Sequence, residues 1–325
     1  MHLVDVPEPH AGPGQIVMRV EAGAFCGTDL HIAHGTLPVA TPRILGHELA
    51  GTVAEVGRGV TGFDVGQPIT TETDASFCGR CRFCLSGDMH LCAERTGIGT
   101  SADGGFAEYV ALPARGVHAL PPGVDFEAGA LTEPLAVAVR AVVERGALRE
   151  GERAAVIGPG TIGLLAAQVT RTRGAEAVLV GLARHASRFR VAASLGLAST
   201  IVVDAPDGES RLAAADGSFD AVVECSGSAN GMRTGPGLLR KGGRLVLVGF
   251  HGKPAEFDVD LVITRELSLV ASRGKRPTSF RLALELLGAS RIETGRLITH
   301  RFRLADWQAA LVAAESPGTK VVLRM

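Results

Sequence analysis

Aromatic side chains are scarce in this chain: one Trp, one Tyr and 4% aromatic content in 325 residues. That scarcity gives no sign of a greasy pocket for long or aromatic ligands. No run of eighteen apolar residues occurs, which argues against a membrane-spanning helix. The N-terminal segment carries early prolines but no basic stretch followed by an apolar core, so no secretory signal is visible. There is no excess of positive charge. The formal net charge is -1, and nothing in that balance points to a nucleic-acid partner. Six cysteines are too few for a disulfide framework at this length, and their clustering favours metal binding in a reducing, cytoplasmic setting. The basic residues are nearly all Arg, a coding bias with no functional reading. What is present is 46% apolar residues, a composition suited to a globular protein of two domains, each with its own core.

The two halves of the chain differ in rhythm. Residues 1 to about 70 run in short apolar and polar alternations broken by Gly and Pro. Gln15–Val20 and Leu49–Val56 read as strands of a compact, turn-rich β domain, with turns or bulges at Gly51, Gly57, Gly59, Gly62 and Gly66. From about Ala128, longer helical and strand segments alternate. Strands are expected at Arg153–Ile157, Ala177–Leu182, Ile201–Val203, Ala221–Glu224, Leu245–Gly249 and Leu267–Ala271, with helices at Thr161–Arg173 and Ser187–Leu195. That is the pattern of βαβ units in a doubly wound parallel sheet. A helix near Ser279–Leu287 and a strand at Lys320–Arg324 read as a return to the first domain. The expected division is 1–134 with 272–325, and 135–271.

Three motifs carry chemistry. Between Cys26 and Glu48 the chain reads C-G-T-D-L-H and then G-H-E. Cys26 and His47 offer the thiolate and imidazole that a catalytic zinc prefers, Glu48 adds a carboxylate, and Thr28 and His31 have the spacing of a proton relay. Cys78, Cys81, Cys84 and Cys92 follow C-x2-C-x2-C-x7-C, which can close a tetrahedron around structural zinc. Paired disulfides or an iron–sulfur cluster are the competing readings. Gly158, Gly160, Thr161, Ile162 and Gly163 form G-x-G-x-x-G between a strand and a helix, a phosphate-binding turn for a dinucleotide. At the end of the next strand, where NAD sites place an acidic residue, the chain reads Val180-Gly181-Leu182-Ala183-Arg184-His185. With no carboxylate in that window, Arg184, helped by Arg188, favours the 2′-phosphate of NADP over NAD.

Gly46-His47-Glu48, then Gly51, Gly57 and Val60 at the intervals of the zinc alcohol dehydrogenase signature, follow C-G-T-D-x-H and precede the four-Cys lobe and the glycine turn. Over essentially its whole length the chain resembles the zinc-dependent medium-chain dehydrogenases/reductases. Thr132-Glu133-Pro134 places Glu where other alcohol dehydrogenases have a Cys ligand, as in the sorbitol, threonine and sugar-alcohol dehydrogenase branch. The resemblance implies a GroES-like β-rich catalytic domain, made from both chain ends, plus a Rossmann domain. It implies Cys26 and His47 as catalytic zinc ligands, with Glu48 binding directly or exchanging with water and Glu133 binding directly or through water. It makes Asp29 the carboxylate that orients the His47 ring, although capping a turn would serve an Asp there equally well. Thr28 would accept the alcohol proton and His31 pass it to solvent.

The same resemblance implies two zinc ions per chain and hydride transfer between a nicotinamide cofactor and a secondary alcohol, such as a polyol, cyclitol or sugar. L-threonine with NAD is the alternative substrate. A non-catalytic zinc-stabilised protein on this fold would have lost Cys26, His47 or the relay, and none is lost. Ser272, Arg273 and Lys275 lie where this branch reaches toward substrate, or else form a basic surface turn. Cys225 is expected to be buried near the cofactor. The chain departs from the family pattern at Gly66-Gln67-Pro68, which replaces Gly-Asp-Arg, and at its start, which matches a segment that normally follows an earlier β-strand. A small-molecule substrate, no nucleic acid, no membrane, and a homodimer or homotetramer complete the expectation.

Overall fold

The computed structural model describes residues 1–316 and 318–325, and the chain divides into two compact units. The first comprises Met1–Glu133, Arg276–Ser290 and Ile298–Met325; the second comprises Pro134–Lys275 and Arg291–Leu297. Among the described residues no helix is long and apolar enough to cross a membrane.

The first unit is organised around the strand Gln15–Ala24, which lies inside a seven-stranded sheet. Its alternating apolar residues Ile16, Met18 and Val20 pack with Leu49, Val53, Ile69 and Leu112. It pairs antiparallel with Glu48–Val56 on one side, and with Tyr109–Pro113 and Lys320–Arg324 on the other. Register decides what meets at its end. Ala24 stands opposite Glu48 in one neighbour and Val322 in the other, so residues 25 and 26, Glu48 and Lys320 reach one corner. Gly59, Gly62 and Gly66 occupy positive-φ turns, but Gly51 serves a different purpose within the strand. A Cβ there would fall 2.0 Å from the carbonyl oxygen of Arg19, so the glycine permits close backbone approach beside a register shift.

The second unit holds six parallel strands in the order Thr200–Val202, Glu176–Gly181, Arg153–Ile157, Phe219–Glu224, Leu239–Leu247, Ser268–Ala271. Numbered along the unit this is 3-2-1-4-5-6, the doubly wound order, with its switch point beside Arg153–Ile157. Val178, Val180, Val222, Leu245 and Phe219 lie in its buried core. The strand expected at Leu245–Gly249 begins at Leu239, through the exposed residues Arg240, Lys241 and Gly242, which no apolar pattern could announce.

Of the elements the sequence did not announce, Ile298–Arg303 pairs parallel with Lys320–Arg324, and Thr132–Val139 is a helix that carries Glu133.

Candidate active site

Cys26 precedes the helix Gly27–Ala33, and its backbone N–H donates to Asp29 Oδ2 at 2.9 Å. The other Asp29 oxygen takes the Gly46 N–H at 3.4 Å and lies 3.6 Å from His47 Nδ1. Asp29 is fully buried. It caps the turn and stands beside the imidazole, although 3.6 Å is ion-pair range and longer than a hydrogen bond. Burial alone would lower the His47 pKa, but the charges of Asp29 and Cys26 hold it well above its ordinary value. Buried His47 Nδ1 has no hydrogen-bond partner.

One ligand atom each from Cys26, His47 and Glu48 lie within 4.8 Å of one another. A thiolate, an imidazole and a carboxylate around an unsatisfied buried nitrogen make a donor set that suits zinc. Glu133 is buried and its charge acts on Glu48, but it stands outside that 4.8 Å group. Sequence reasoning missed the partner that Glu48 has. Lys320 Nζ donates to Glu48 Oε1 at 2.8 Å, to Oε2 at 2.7 Å and to the Phe25 carbonyl at 2.9 Å. Desolvation pushes the Glu48 carboxyl up to about 7 against the pull of Lys320, and Glu133 adds to the rise. The available signal was one lysine opening the otherwise apolar strand Lys320–Leu323.

Thr28 Oγ1 is 3.6 Å from Cys26 Sγ, while His31 Nδ1 is 3.0 Å from Thr36 Oγ1. Thr28 and His31 share one helix but no direct hydrogen bond, so a proton passing from one to the other needs a bridging hydroxyl or water.

The cysteine lobe is compact. Sγ–Sγ distances are 3.8 Å for Cys78–Cys84, 3.5 Å for Cys81–Cys84 and 3.6 Å for Cys92–Cys78. A tetrahedron with Zn–S bonds of about 2.3 Å has edges of about 3.8 Å, whereas a disulfide needs about 2.05 Å. All six cysteines are free thiols. Sulfurs this close leave room for a single ion and none for a multinuclear cluster. Backbone N–H groups of Arg80 and Cys81 hold the Cys78 thiol down to about 6, while desolvation and its neighbouring sulfurs push Cys84 up to about 12. Only a cation lets all four ionise together.

In the second unit, Gly158 ends the first strand at φ +98, and a Cβ there would strike Ser226. A Cβ on Gly163 would fall 2.0 Å from the Gly158 carbonyl oxygen, so the helix Thr161–Thr172 packs hard against the turn. Gly160 faces open space, with Arg188 Nη1 as the nearest atom at 3.9 Å from its would-be Cβ. Arg184 and Arg188 flank the end of Glu176–Gly181, and His185 joins them. The sequence window there holds no carboxylate, but the fold delivers one. Asp204 Oδ1 accepts the Ala183 N–H at 2.6 Å.

Ser272 and Lys275 are buried, which removes the basic-surface-turn reading for both. Cys225 is half-buried, and desolvation with the neighbouring Glu224 charge drives its thiol upward.

Residues 12–122 match the alcohol dehydrogenase GroES-like domain, and residues 161–289 match the zinc-binding dehydrogenase domain. The sorbitol dehydrogenase of Halalkalibacterium halodurans is 39% identical over 95% of this chain and 91% of its own length. The L-threonine 3-dehydrogenase of Streptomyces avermitilis is 34% identical over 99% of this chain and 95% of its own. Among solved structures, a zinc-binding dehydrogenase from Sinorhizobium meliloti 1021 bound to NADP superposes with a TM-score of 0.89 at 33% identity, covering 99% of this chain and 94% of that one.

Proposed function

We propose a reaction from one premise: this chain belongs to the zinc-dependent medium-chain dehydrogenase/reductase family, in its sorbitol and threonine dehydrogenase branch. It is an alcohol or polyol oxidoreductase that uses zinc and a nicotinamide cofactor. The substrate is a secondary alcohol of the polyol, cyclitol or sugar class. L-threonine is the second reading, favoured by its named relative at 34% identity.

Cys26 and His47 would hold the catalytic zinc, with a carboxylate from Glu48 or Glu133. Bound there, the ion supplies Lewis-acid polarisation of the substrate oxygen. Asp29 keeps the His47 ring in place through its charge and through its grip on the Cys26 and Gly46 amides. Thr28 Oγ1, beside Cys26 Sγ, takes the proton of the substrate hydroxyl, and His31 releases it at the exposed end of the same helix. Gly158 makes the turn, its own N–H held by the Val180 carbonyl, while Gly160, Thr161, Ile162 and Gly163 present backbone N–H groups to the pyrophosphate, and Arg184 with Arg188 favours NADP. Cys78, Cys81, Cys84 and Cys92 hold a second, structural zinc. The exposed Leu269 on the outermost strand Ser268–Ala271, with Val259 and Ile263 exposed on the preceding helix, supports a dimer or tetramer joined through this sheet. The six free thiols fit a reducing compartment such as the cytoplasm.

The observation that carries this reading is the convergence of Cys26, His47 and Glu48 within 4.8 Å. Metal analysis combined with a substrate screen tests it. Two zinc ions per chain and NADP-dependent oxidation of a polyol are expected. One zinc, held by the cysteine lobe alone, would overturn the catalytic assignment.

A further inference from the structure

In the turn that follows the strand Glu176–Gly181, two side-chain donors, from Arg184 and His185, face each other. The backbone N–H of Leu182 donates to His185 Nδ1 at 3.2 Å. A neutral imidazole nitrogen that accepts cannot also donate, so the ring proton sits on Nε2. Arg184 Nε, itself an N–H, lies 3.4 Å from that Nε2. Two donors thus converge on one volume with no acceptor between them. The other tautomer would satisfy Arg184 and leave the Leu182 amide facing a ring N–H. That is the costlier choice, because the amide is fixed in the chain while the exposed guanidinium can turn to water.

The surrounding charge has the same sense. Arg188 stands over Gly160 of the phosphate turn, so the pair Arg184 and Arg188 joins this corner to that turn. The helix Ala186–Ser194 begins here, and its N-terminal end adds partial positive charge. Desolvation, then the charges of Arg188 and Arg184, lower the His185 pKa, with Asp204 opposing. The ring is a neutral donor and not a third cation. Asp204 is the one carboxylate acting on it, and its Oδ1 already takes the Ala183 N–H.

We propose that His185 is a specificity-determining residue whose Nε2–H, beside Arg184 and Arg188, binds the 2′-phosphate of NADP. The assignment rests on the NADP reading given above. A histidine that merely caps the turn would affect both cofactors alike, whereas a phosphate donor affects only NADPH.

The test is calorimetric binding of NADPH and NADH to the zinc-loaded enzyme and to its His185→Ala and His185→Gln variants. His185→Ala is expected to weaken NADPH by roughly tenfold, the cost of one hydrogen bond to a charged group, while NADH changes by less than about twofold. His185→Gln, whose amide still donates, falls between. Equal weakening of both cofactors, or an unchanged preference for NADPH in His185→Ala, overturns the assignment alone. Wild-type enzyme that binds NADH as tightly as NADPH overturns the NADP reading and the assignment with it.

Discussion

Lys320 and Glu48, 272 residues apart, form a buried ion pair in which one ammonium spans both carboxylate oxygens at 2.7 and 2.8 Å. The third donor of Lys320 holds the Phe25 carbonyl, the residue before Cys26. The final strand of the chain is thereby fastened to both halves of the metal-ligand motif. Removing Lys320 leaves the Glu48 carboxyl in the core with no cation beside it, so it must take up a proton or stay buried as an unpaired charge. Lys320→Met is expected to cost about 3–5 kcal/mol, and Lys320→Met with Glu48→Gln to recover most of it. Thermal unfolding of the two variants checks this, and a double variant no better than the single one would refute it.

Asp29 touches the His47 ring, the Cys26 amide and the Gly46 amide together. Asp29→Asn keeps an acceptor for one amide but loses the charge beside the imidazole. Catalytic-site zinc should bind about 10–100-fold more weakly, with the cysteine-lobe zinc retained. Metal content during titration with a chelator separates the two sites.

The relay has an inner and an outer end. Thr28→Val removes the hydroxyl beside Cys26 Sγ and should lower kcat by about 10²–10⁴-fold. His31→Ala removes only the exposed end, so its smaller loss should be restored by added imidazole. Steady-state kinetics with and without imidazole tests the order, and rescue of Thr28→Val by imidazole would reverse it.

Asp220 accepts the Arg153 backbone N–H at 2.8 Å and the Arg240 Nε–H at 2.7 Å. Desolvation opposes ionisation there, but these bonds outweigh it and hold the carboxyl below its ordinary value. A folded-state value depressed in this way contributes stability above the ordinary carboxylate value of about 3.9, and the contribution is lost as pH falls below it. Asp220→Asn should therefore cost about 1 kcal/mol at pH 7, and the gap should narrow as pH falls below about 3.9. Urea unfolding as a function of pH measures the difference, and a gap that does not narrow on acidification would contradict it.

Local motifs were legible because their function is local. Four cysteines within fifteen residues can meet only around something small, and the measured sulfur separations of 3.5–3.8 Å agree with that spacing. The strand Arg153–Ile157, the turn at Gly158 and the helix that follows were equally legible, since periodicity and glycine geometry act over neighbouring residues. The helix carrying Glu133 gave no such signal. After Thr132 and Glu133 its remaining six residues, Pro134–Val139, are all apolar, a run that does not distinguish a buried helix from a strand.

By itself the sequence determined the family, the two-part architecture, the cysteine lobe and the phosphate turn, since each is written in residues that stand close along the chain. The tertiary structure alone decided the rest. It set Lys320 against Glu48 and brought Asp204 to the turn where the sequence window held no carboxylate. Those pairings depend on strand register and sheet order, which place residues far apart in the chain within hydrogen-bond distance and leave no periodic trace in the sequence.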